Sequence, residues 1–504
     1  MNGSTRLQGP AAGPFRAAAA AGAALFLVFF AFMAFRRLPY PFELEWMEGG
    51  ALEEVRRILA GQPLYARPSL DYVAYRYAPL YFYVSAAVAA VVGHDFLGLR
   101  LVSFAASAGS LALVFRMVHT ETGSREAGLL AAGLFAATAR LSGFWFDVAR
   151  VDALYLFLLL LAAWWIRRER APVAVGAVLA LAFHTKQTAL LPALGYVAFY
   201  FWRRRSQARA LLATFVAGAM GGALLADALS AGWYTRFVFR PHWLLWHRAG
   251  SFWARDLLAG LPVASVAAVF YLARPAGRDR EARAFYAVFA VLMVGTAFYS
   301  RLIVGAYLNA LLPACAALSV LFGLGLHEAR RGLGSPAPEA RAAETAVWAA
   351  AALQFALLAF NPLAQVPTRE DAAAGARLVA TLAGLGGDVL VASHPYLAVR
   401  AGGRGHAHAM AIGELSLAGD SPFAREMRTR WQEALCAQRF SAVVTDGGFA
   451  FPAALDAAYR PERALNELGD AFFTVAGSRT RPEVLYLPRT APDLRAGAAC
   501  RPPG

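Results

Sequence analysis

The chain has 504 residues, of which 59% are hydrophobic and only 16% are charged. Soluble domains average roughly 45–50% apolar and about 25% charged residues, so a soluble globular protein of this size could not bury so much apolar surface. Disordered chains are excluded because they are poor in apolar residues. The composition therefore predicts an integral membrane protein. The net charge of +15 fits arginines gathered in cytoplasmic loops, and we expect no nucleic-acid partner.

Apolar runs predict about eleven transmembrane helices, since a span needs about 20 apolar residues or somewhat fewer with snorkelling flanks. The first run is followed by Arg36 and Arg37 rather than by small residues, which indicates a retained span and not a cleaved signal peptide. The candidate spans are residues 17–35, 99–118, 127–144, 153–166, 172–185, 187–202, 210–230, 257–273, 284–299, 302–325 and 346–361.

Arginine-rich loops set the predicted orientation, with the N-terminal residues 1–16 in the cytoplasm. This orientation requires that the apolar stretch 79–93, about 15 residues long, does not cross the membrane. If that stretch crossed, the arginine-rich loops would lie outside. We therefore expect a long first outer loop over residues 36–98, which includes a charged amphipathic helix at the membrane surface.

The chain becomes more polar after residue 361, which predicts a membrane domain over residues 17–361 and a soluble domain over residues 362–504. Residues 387–393 and 440–448 have the pattern of short buried strands that end in turn residues. The predicted fold is thus an all-α polytopic membrane domain followed by a small extracytoplasmic α/β domain. There Cys436 and Cys500 could pair, because disulfides form outside the cytoplasm. A cytoplasmic linker is expected near residues 334–344.

Three glutamates, Glu43, Glu45 and Glu48, follow the first span in the stretch PFELEWMEGG. Ionised carboxylates so close to lipid are energetically costly, so they are expected either to be solvated or to have a function. Glu45 and Glu48 would share one face of a helix, where a carboxylate could act as general base for an acceptor hydroxyl or amine. The alternative is that they are acids at a helix N-terminus, stabilised by the helix dipole.

A second polar group, Asp147, Arg150 and Asp152 in the stretch WFDVARVD, is predicted at the outer mouth between two spans. Asp152 could orient the base or the acceptor, with Asp147 and Arg150 in supporting positions. Alternatively, Asp152 is only the N-cap of the helix that follows, and Arg150 only pairs with an acid.

Cations form a third group near the same outer face. Arg76 lies in YRYAPLYFY, Lys186 follows His184 in FHTKQTALLP, and Arg301 precedes Tyr307 in SRLIVGAYLNALLP. These cations could simply snorkel to lipid headgroups. If they converge, they would instead suit a lipid phosphate, because a guanidinium group binds two phosphate oxygens at once and an ammonium group acts as a point charge.

In these motifs the chain resembles the multi-span GT-C glycosyltransferases, in the glycosyltransferase family 39-like branch of the protein O-mannosyltransferases and the lipid A aminoarabinose transferase. Those proteins carry acids after the first span, a Pro-Leu-aromatic motif, an Asp after the third span, a Lys-containing loop and a Ser-basic motif followed by Tyr and Pro. The corresponding stretches here are ELEWMEGG, AYRYAPLYFY, ARVDALYLF, HTKQTALLP and SRLIVGAYLNALLP. A soluble C-terminal domain outside the membrane also matches the plan of the aminoarabinose transferase.

The resemblance implies an inner-membrane enzyme that moves a sugar, with inversion, from a polyprenyl-phosphate donor to an extracytoplasmic glycan, lipid or protein acceptor. It implies that Glu45 or Glu48 is the base and that Asp152 supports the base or the acceptor. Relatives with monophosphate donors do not generally require a metal, so neither a metal nor another cofactor is expected. The residues implied to hold or flank the donor phosphate are Arg76, Lys186, Arg301 and Tyr307.

Two other functions remain open on the sequence alone. One is a transporter or flippase of lipid-linked sugars, and the other is a non-catalytic membrane assembly protein. A transporter is expected to bury polar groups near the bilayer midplane and to show two related halves. In this sequence the acids and cations fall at the ends of predicted spans and no repeat is evident, which favours the enzyme.

Overall fold

The computed structural model describes residues 12–490 and Cys500, except for residues 241–242, 275–279, 334–336, 417–421 and 466–467. Most of the predicted cytoplasmic segment 1–16 and part of the predicted linker 334–344 therefore lie outside the described residues. Within the described ranges, the chain forms a helical membrane domain followed by a small mixed domain.

The membrane domain consists of helices joined mostly by short connections. In chain order the helices are α1 (Ala12–Arg37), α2 (Glu48–Leu59), α3 (Leu80–Val92), α4 (Phe96–Thr122), α5 (Arg125–Ala137), α6 (Asp152–Arg167), α7 (Pro172–Thr185), α8 (Leu190–Arg203), α9 (Arg205–Leu229), α10 (Trp233–Val238), α11 (Arg248–Ser251), α12 (Pro262–Ala273), α13 (Arg280–Leu302), α14 (Leu312–Arg331) and α15 (Pro338–Leu357). A π-helical turn (Phe252–Leu258) joins α11 to α12.

Local sequence signals explain the boundary between α4 and α5. The carboxylate of Asp95 accepts a hydrogen bond from the N–H of Phe96 and caps the start of α4. Gly123 ends that helix with a φ of +69°, a left-handed conformation that glycine adopts without strain. Ser124 then caps α5 by accepting the N–H of Ala127. The two helices therefore reverse direction within two residues and pack side by side.

The predicted spans are present as helices, although several are short. Among the described residues, five helices are long and apolar enough to cross a membrane, and two bent pairs that include α12 and α15 raise the number to seven. The other four predicted spans form α5, α6, α7 and α8, which have 13 to 16 residues. The stretch predicted not to cross forms α3, a 13-residue helix packed on α2 and α4. The chain is a multi-pass membrane protein.

The two ends of the helix bundle differ in character. At one end, Arg16 and Arg330 both pair with Glu126 at the start of α5, and Arg167 pairs with Glu121 near the end of α4. These are the ends that the sequence analysis assigned to the arginine-rich loops. The other end carries the connections 38–47, 138–151, 186–189 and 303–311, together with the soluble domain.

The soluble domain has the predicted α/β character. Its four-stranded sheet has the order β1-β2-β4-β3, in which β1 and β2 are parallel and the other neighbours are antiparallel. The two predicted strands are β1 and β2, and all their residues are buried. The elements are α16 (Arg369–Leu385), β1 (Val389–Val391), α17 (Pro395–Arg400), α18 (Ala409–Ser416), α19 (Pro422–Cys436), β2 (Ala442–Thr445), α20 (Pro452–Ala458), β3 (Tyr459–Ala464) and β4 (Val484–Pro488).

The soluble domain packs directly on these connections of the membrane domain. The N–H of Ala407 donates to the carbonyl of Leu70 at 2.9 Å, and the N–H of Gly477 donates to the carbonyl of Gly143 at 3.1 Å. Main-chain hydrogen bonds of this kind fix the position of one domain on the other. The domain therefore forms part of the wall around any site at this end of the bundle.

Candidate active site

A cavity of about 410 Å³ lies where the membrane domain meets the soluble domain. Its wall comes mainly from the connections at the end of the bundle that contacts the soluble domain and from α18. The charged side chains that line it, among the described residues, are Glu45, Arg76, Arg150, Lys186 and Glu414. Cations and acids thus share one cavity, a composition suited to a ligand that carries both negative charge and hydrogen-bond donors.

Glu45 is buried, and one of its two carboxylate oxygens is free of hydrogen bonds. Its Oε2 accepts from the Arg150 guanidinium at 2.8 Å and from the Met47 N–H at 3.2 Å. Its Oε1 accepts no hydrogen bond from the described residues. Burial raises the pKa of Glu45 to about 7, and the charge of Arg150 opposes that rise. A carboxylate with a free oxygen and a near-neutral pKa can accept a proton from a bound hydroxyl group.

Glu48 differs from Glu45 because donors surround both of its oxygens. The N–H of Ala149 donates to Oε1 at 2.5 Å, and the N–H of Leu44 donates to Oε2 at 2.7 Å. The Arg100 guanidinium donates to both oxygens, at 3.2 and 2.6 Å. Glu48 and Arg100 are completely buried, and the cavity lining includes neither of them. This pair ties α2 to α4.

Glu43 faces the soluble domain rather than the cavity. Its Oε1 accepts the N–H of Gly49 at 2.8 Å, and its Oε2 is hydrogen-bonded to Nδ1 of His394. The other ring nitrogen of His394 lies 3.1 Å from Oδ2 of Asp446. Glu43, His394 and Asp446 therefore form a chain of ionisable side chains that crosses from the connection 38–47 to the sheet.

At the cavity wall, the charged groups of Arg150 and Lys186 are each held in place by neighbouring side chains. Besides Glu45, Arg150 contacts the hydroxyl of Tyr77, to which it donates at 2.8 Å. Nζ of Lys186 lies 2.7 Å from Oδ1 of Asp152. Asp152 is itself only 2% exposed, so its carboxylate holds the ammonium group in place from behind.

Arg76 and Tyr307 complete the set of predicted residues that line the cavity. The guanidinium of Arg76 donates to the carbonyl of Arg240 at 2.6 Å. The hydroxyl of Tyr307 donates to the carbonyl of Gly477 at 2.9 Å, which links α13–α14 to the soluble domain. Residues from distant parts of the sequence therefore meet at one site. Of the three cations that the sequence analysis grouped, Arg76 and Lys186 line the cavity and Arg301 does not.

Three other predicted residues lie outside the cavity lining. Arg301 pairs with Asp256 of the π-helical turn at 2.9 Å. Asp147 pairs with Arg37 at the end of α1 at 3.0 Å. The ring of His184 lies 3.1 Å from a main-chain carbonyl of α9. Each of these contacts joins neighbouring elements of the bundle.

Comparison with known proteins identifies the architecture. The family model for dolichyl-phosphate-mannose-protein mannosyltransferases matches residues 76–229. Two crystal structures of ArnT from Cupriavidus metallidurans are similar to this chain, one bound to undecaprenyl phosphate (TM-score 0.56, 12% identity) and one in the apo state (TM-score 0.57, 13% identity). Each comparison covers 92% of this chain and 97% of ArnT. No curated protein matches the sequence.

The chain has the GT-C fold. The resemblance to GT-C glycosyltransferases and the predicted fold class are thereby confirmed. The roles assigned to individual residues stay predictions, because similarity at this level of identity concerns the fold.

The GT-C fold also brings to the cavity an acid that the sequence analysis did not identify. Glu414 of α18 lines the cavity, and its buried Oε2 accepts no hydrogen bond from the described residues. Burial raises the pKa of Glu414, while Arg76 and Arg150 act against that rise. The available signal was a single acid in the apolar stretch AMAIGELS. Nothing in its spacing indicates that α18 packs above the membrane domain.

Proposed function

We propose that this GT-C protein is an inverting membrane glycosyltransferase that moves a sugar from a polyprenyl-phosphate donor to an acceptor outside the cytoplasm. The observation that carries the proposal is that Glu45, whose buried Oε1 accepts no hydrogen bond from the described residues, lines one cavity together with Arg76, Arg150 and Lys186. Such a transfer needs a base for the acceptor and fixed positive charge for the departing phosphate. The cavity offers both.

Glu45 is the proposed general base, in preference to Glu48, whose oxygens are already occupied by Arg100 and by main-chain N–H groups. Glu45 removes the proton of an acceptor hydroxyl, and the resulting oxygen attacks the anomeric carbon of the sugar. The bond between that carbon and the phosphate oxygen breaks, and polyprenyl phosphate departs with the electron pair. Attack from the face opposite the phosphate inverts the configuration at that carbon.

Arg76 and Lys186 are the proposed ligands of the donor phosphate. The phosphate gains negative charge as the glycosidic bond breaks, and preoriented cations stabilise that charge in a site with little water. The contacts of Lys186 with Asp152 and of Arg76 with a main-chain carbonyl orient both groups in advance. We propose that Arg301 lies farther from the phosphate than Arg76 and Lys186 do, since Asp256 holds its guanidinium.

The identity of the donor is supported by the comparisons. ArnT, which shares the architecture of this chain, has been crystallised with undecaprenyl phosphate. The family model that matches residues 76–229 describes enzymes that use dolichyl-phosphate-mannose, another polyprenyl-phosphate sugar. We infer that this chain accepts a donor of the same chemical class. Sugar hydroxyl groups on either substrate could donate to the free oxygen of Glu414.

The cavity is proposed to face the non-cytoplasmic side of the inner membrane. Cys436 and Cys500 of the soluble domain form a disulfide, and such bonds persist in oxidising compartments. Arginines gather at the opposite end of the bundle, where Arg16, Arg167 and Arg330 form their ion pairs. Cytoplasmic loops are enriched in arginine, so both observations support the same orientation.

The proposal is tested by reconstituting the protein in liposomes with labelled polyprenyl-phosphate sugars and an envelope extract as the source of acceptors. Loss of the general base in Glu45→Gln should lower transfer by about 10²–10⁴-fold. Glu54→Gln is the matched control. Glu54 is also a buried carboxylate near the same loop, but it is held by the Tyr72 hydroxyl and the Tyr75 N–H, at 2.6 and 2.7 Å.

Two results would contradict the proposal. Full transfer activity in Glu45→Gln would show that Glu45 is not the base. Movement of the intact lipid-linked sugar across the liposome membrane, without release of polyprenyl phosphate, would show that the protein is a flippase and not a glycosyltransferase.

A further inference from the structure

The turn that carries Glu45 is held by the soluble domain at three of its residues. Main-chain groups of residues 43, 44 and 46 each form a hydrogen bond to that domain. The contacts are those of the Tyr396 hydroxyl with the Glu43 N–H (3.3 Å), of the Val475 and Ala476 N–H groups with the Leu44 carbonyl (3.0 and 2.9 Å) and of the His408 ring with the Trp46 carbonyl (3.1 Å).

One side-chain link reaches the same turn, through Glu43, His394 and Asp446. His394 follows β1 and Asp446 follows β2, and because these strands are parallel their carboxyl ends meet at one edge of the sheet. Both ring nitrogens of His394 are engaged with carboxylates, which fixes the orientation of the ring. Burial opposes a charge on this ring, but Asp446 and Glu43 outweigh that effect and raise the pKa of His394.

Glu43 connects the fixed ring of His394 to the turn that carries Glu45. Its Oε1 accepts the Gly49 N–H and so closes the turn around Glu45. A Cβ atom at residue 49 would lie 2.3 Å from that oxygen, so the contact requires glycine. Glu48 fastens the other side of the turn to Arg100 of the membrane domain. Glu45 thus lies between two links: Glu43 is held by the soluble domain, and Glu48 is held by the membrane domain.

We propose that His394 and Asp446 are positioning residues for Glu45. By holding Glu43, they fix the turn that places Glu45 in the cavity lining, so the soluble domain completes the active site. Buried ionic groups contribute little net stability but can specify one geometry, which fits this role better than simple attachment of the domain. The catalytic consequence rests on the proposed function, whereas the constraint on the turn does not.

The test compares His394→Ala and Asp446→Asn with a matched control, His406→Ala. His406 is an equally buried histidine of the same domain, and its ionic partners are Asp388 and Asp71. In the His394 and Asp446 variants, kcat should fall about tenfold or more while the donor KM stays within about twofold, because alignment and not donor binding is lost. The control should keep the kcat of the wild type.

Hydrogen exchange gives a readout that does not depend on activity. Amides of residues 44–49 should exchange about tenfold faster in His394→Ala than in the wild type or in the control, because the turn opens more often. Adding Glu43→Gln to His394→Ala should lower kcat no further, since the two residues act as one unit. If His394→Ala does not fold, Asp446→Asn, which changes one atom and the charge, carries the same comparisons.

The outcomes separate this inference from the proposed function. Unchanged exchange in residues 44–49, or a kcat loss equal to that of His406→Ala, would overturn the positioning role. Faster exchange in a protein whose wild type transfers no sugar would uphold the constraint on the turn and reject the glycosyltransferase proposal.

Discussion

Replacing Arg150 by Gln should move the pH dependence of the reaction toward higher pH. In the wild type, burial raises the pKa of Glu45 to about 7, and Arg150, which donates to Oε2 at 2.8 Å, keeps it from rising further. Only the ionised carboxylate can act as base, so the rate should increase with pH through the pKa of Glu45. Without Arg150 the same carboxylate stays buried beside Glu48, another negative group, and ionises only at higher pH.

The size of the shift follows from the geometry of this pair. A cation in contact with a carboxylate typically lowers its pKa by about 1–3 units. Charge centres roughly 4 Å apart interact by about 4 kcal/mol at an effective dielectric constant of 20, which corresponds to about three units at 1.36 kcal/mol each. Starting from a pKa of about 7, a rise of one to three units would lower the ionised fraction of Glu45 at pH 7, and with it the activity, by about 5- to 500-fold.

The assay measures kcat/KM for the donor from about pH 5.5 to 9.5 in wild type, Arg150→Gln and Arg76→Gln. Arg76 is the matched control, since it also lines the cavity but is held by the carbonyl of Arg240 rather than by Glu45. Its loss should weaken donor binding and leave the midpoint of the rising limb unchanged. A midpoint for Arg150→Gln equal to that of the wild type would refute the reasoning, whatever the loss in rate.

Three further predictions concern binding and stability. Lys186→Met should raise the donor KM about 10- to 100-fold, since a charge-assisted hydrogen bond to the phosphate is lost; an unchanged KM would contradict its role. Arg100→Met should destabilise the protein by about 3–5 kcal/mol, because Glu48 is left buried without its cation, and thermal unfolding in detergent measures this loss. Reducing the Cys436–Cys500 disulfide, which spans 64 residues, should cost about 4 kcal/mol. An unfolding midpoint unaffected by reductant would refute that prediction.

The fold was predictable largely because its signals are local. Apolar runs locate the helices of the bundle, and arginines after alternate runs indicate which ends share one side. The short helices α5 to α8 could still be recognised, since polar residues bound each run. In contrast, the packing of α18 and of the segment 474–478 against the membrane domain depends on contacts between residues hundreds of positions apart, such as Leu44 with Val475. No periodicity encodes such contacts.

The candidate site was only partly predictable for the same reason. The sequence analysis gave either Glu45 or Glu48 as the base, with Glu43 in a supporting position, and residue type and spacing offered no way to choose between the first two. Their roles diverge through partners elsewhere in the chain: Arg100 for Glu48, His394 for Glu43 and Arg150 for Glu45. The sequence analysis assigned no role to the soluble domain, because nothing in its sequence indicates that it supplies lining residues to the cavity.

Hydrogen-bond satisfaction also constrains the ligand. A carboxylate can accept about four hydrogen bonds, and a buried oxygen left without any costs about 1–3 kcal/mol. Among the described residues, Glu45 and Glu414 each keep one buried oxygen without a hydrogen-bond donor, and both residues line the cavity together with Arg76, Arg150 and Lys186. A purely anionic ligand would satisfy the cations and leave both acids unpaired, and a neutral sugar would do the reverse. A phosphate joined to a sugar, together with a hydroxyl acceptor, satisfies both sets of groups at once.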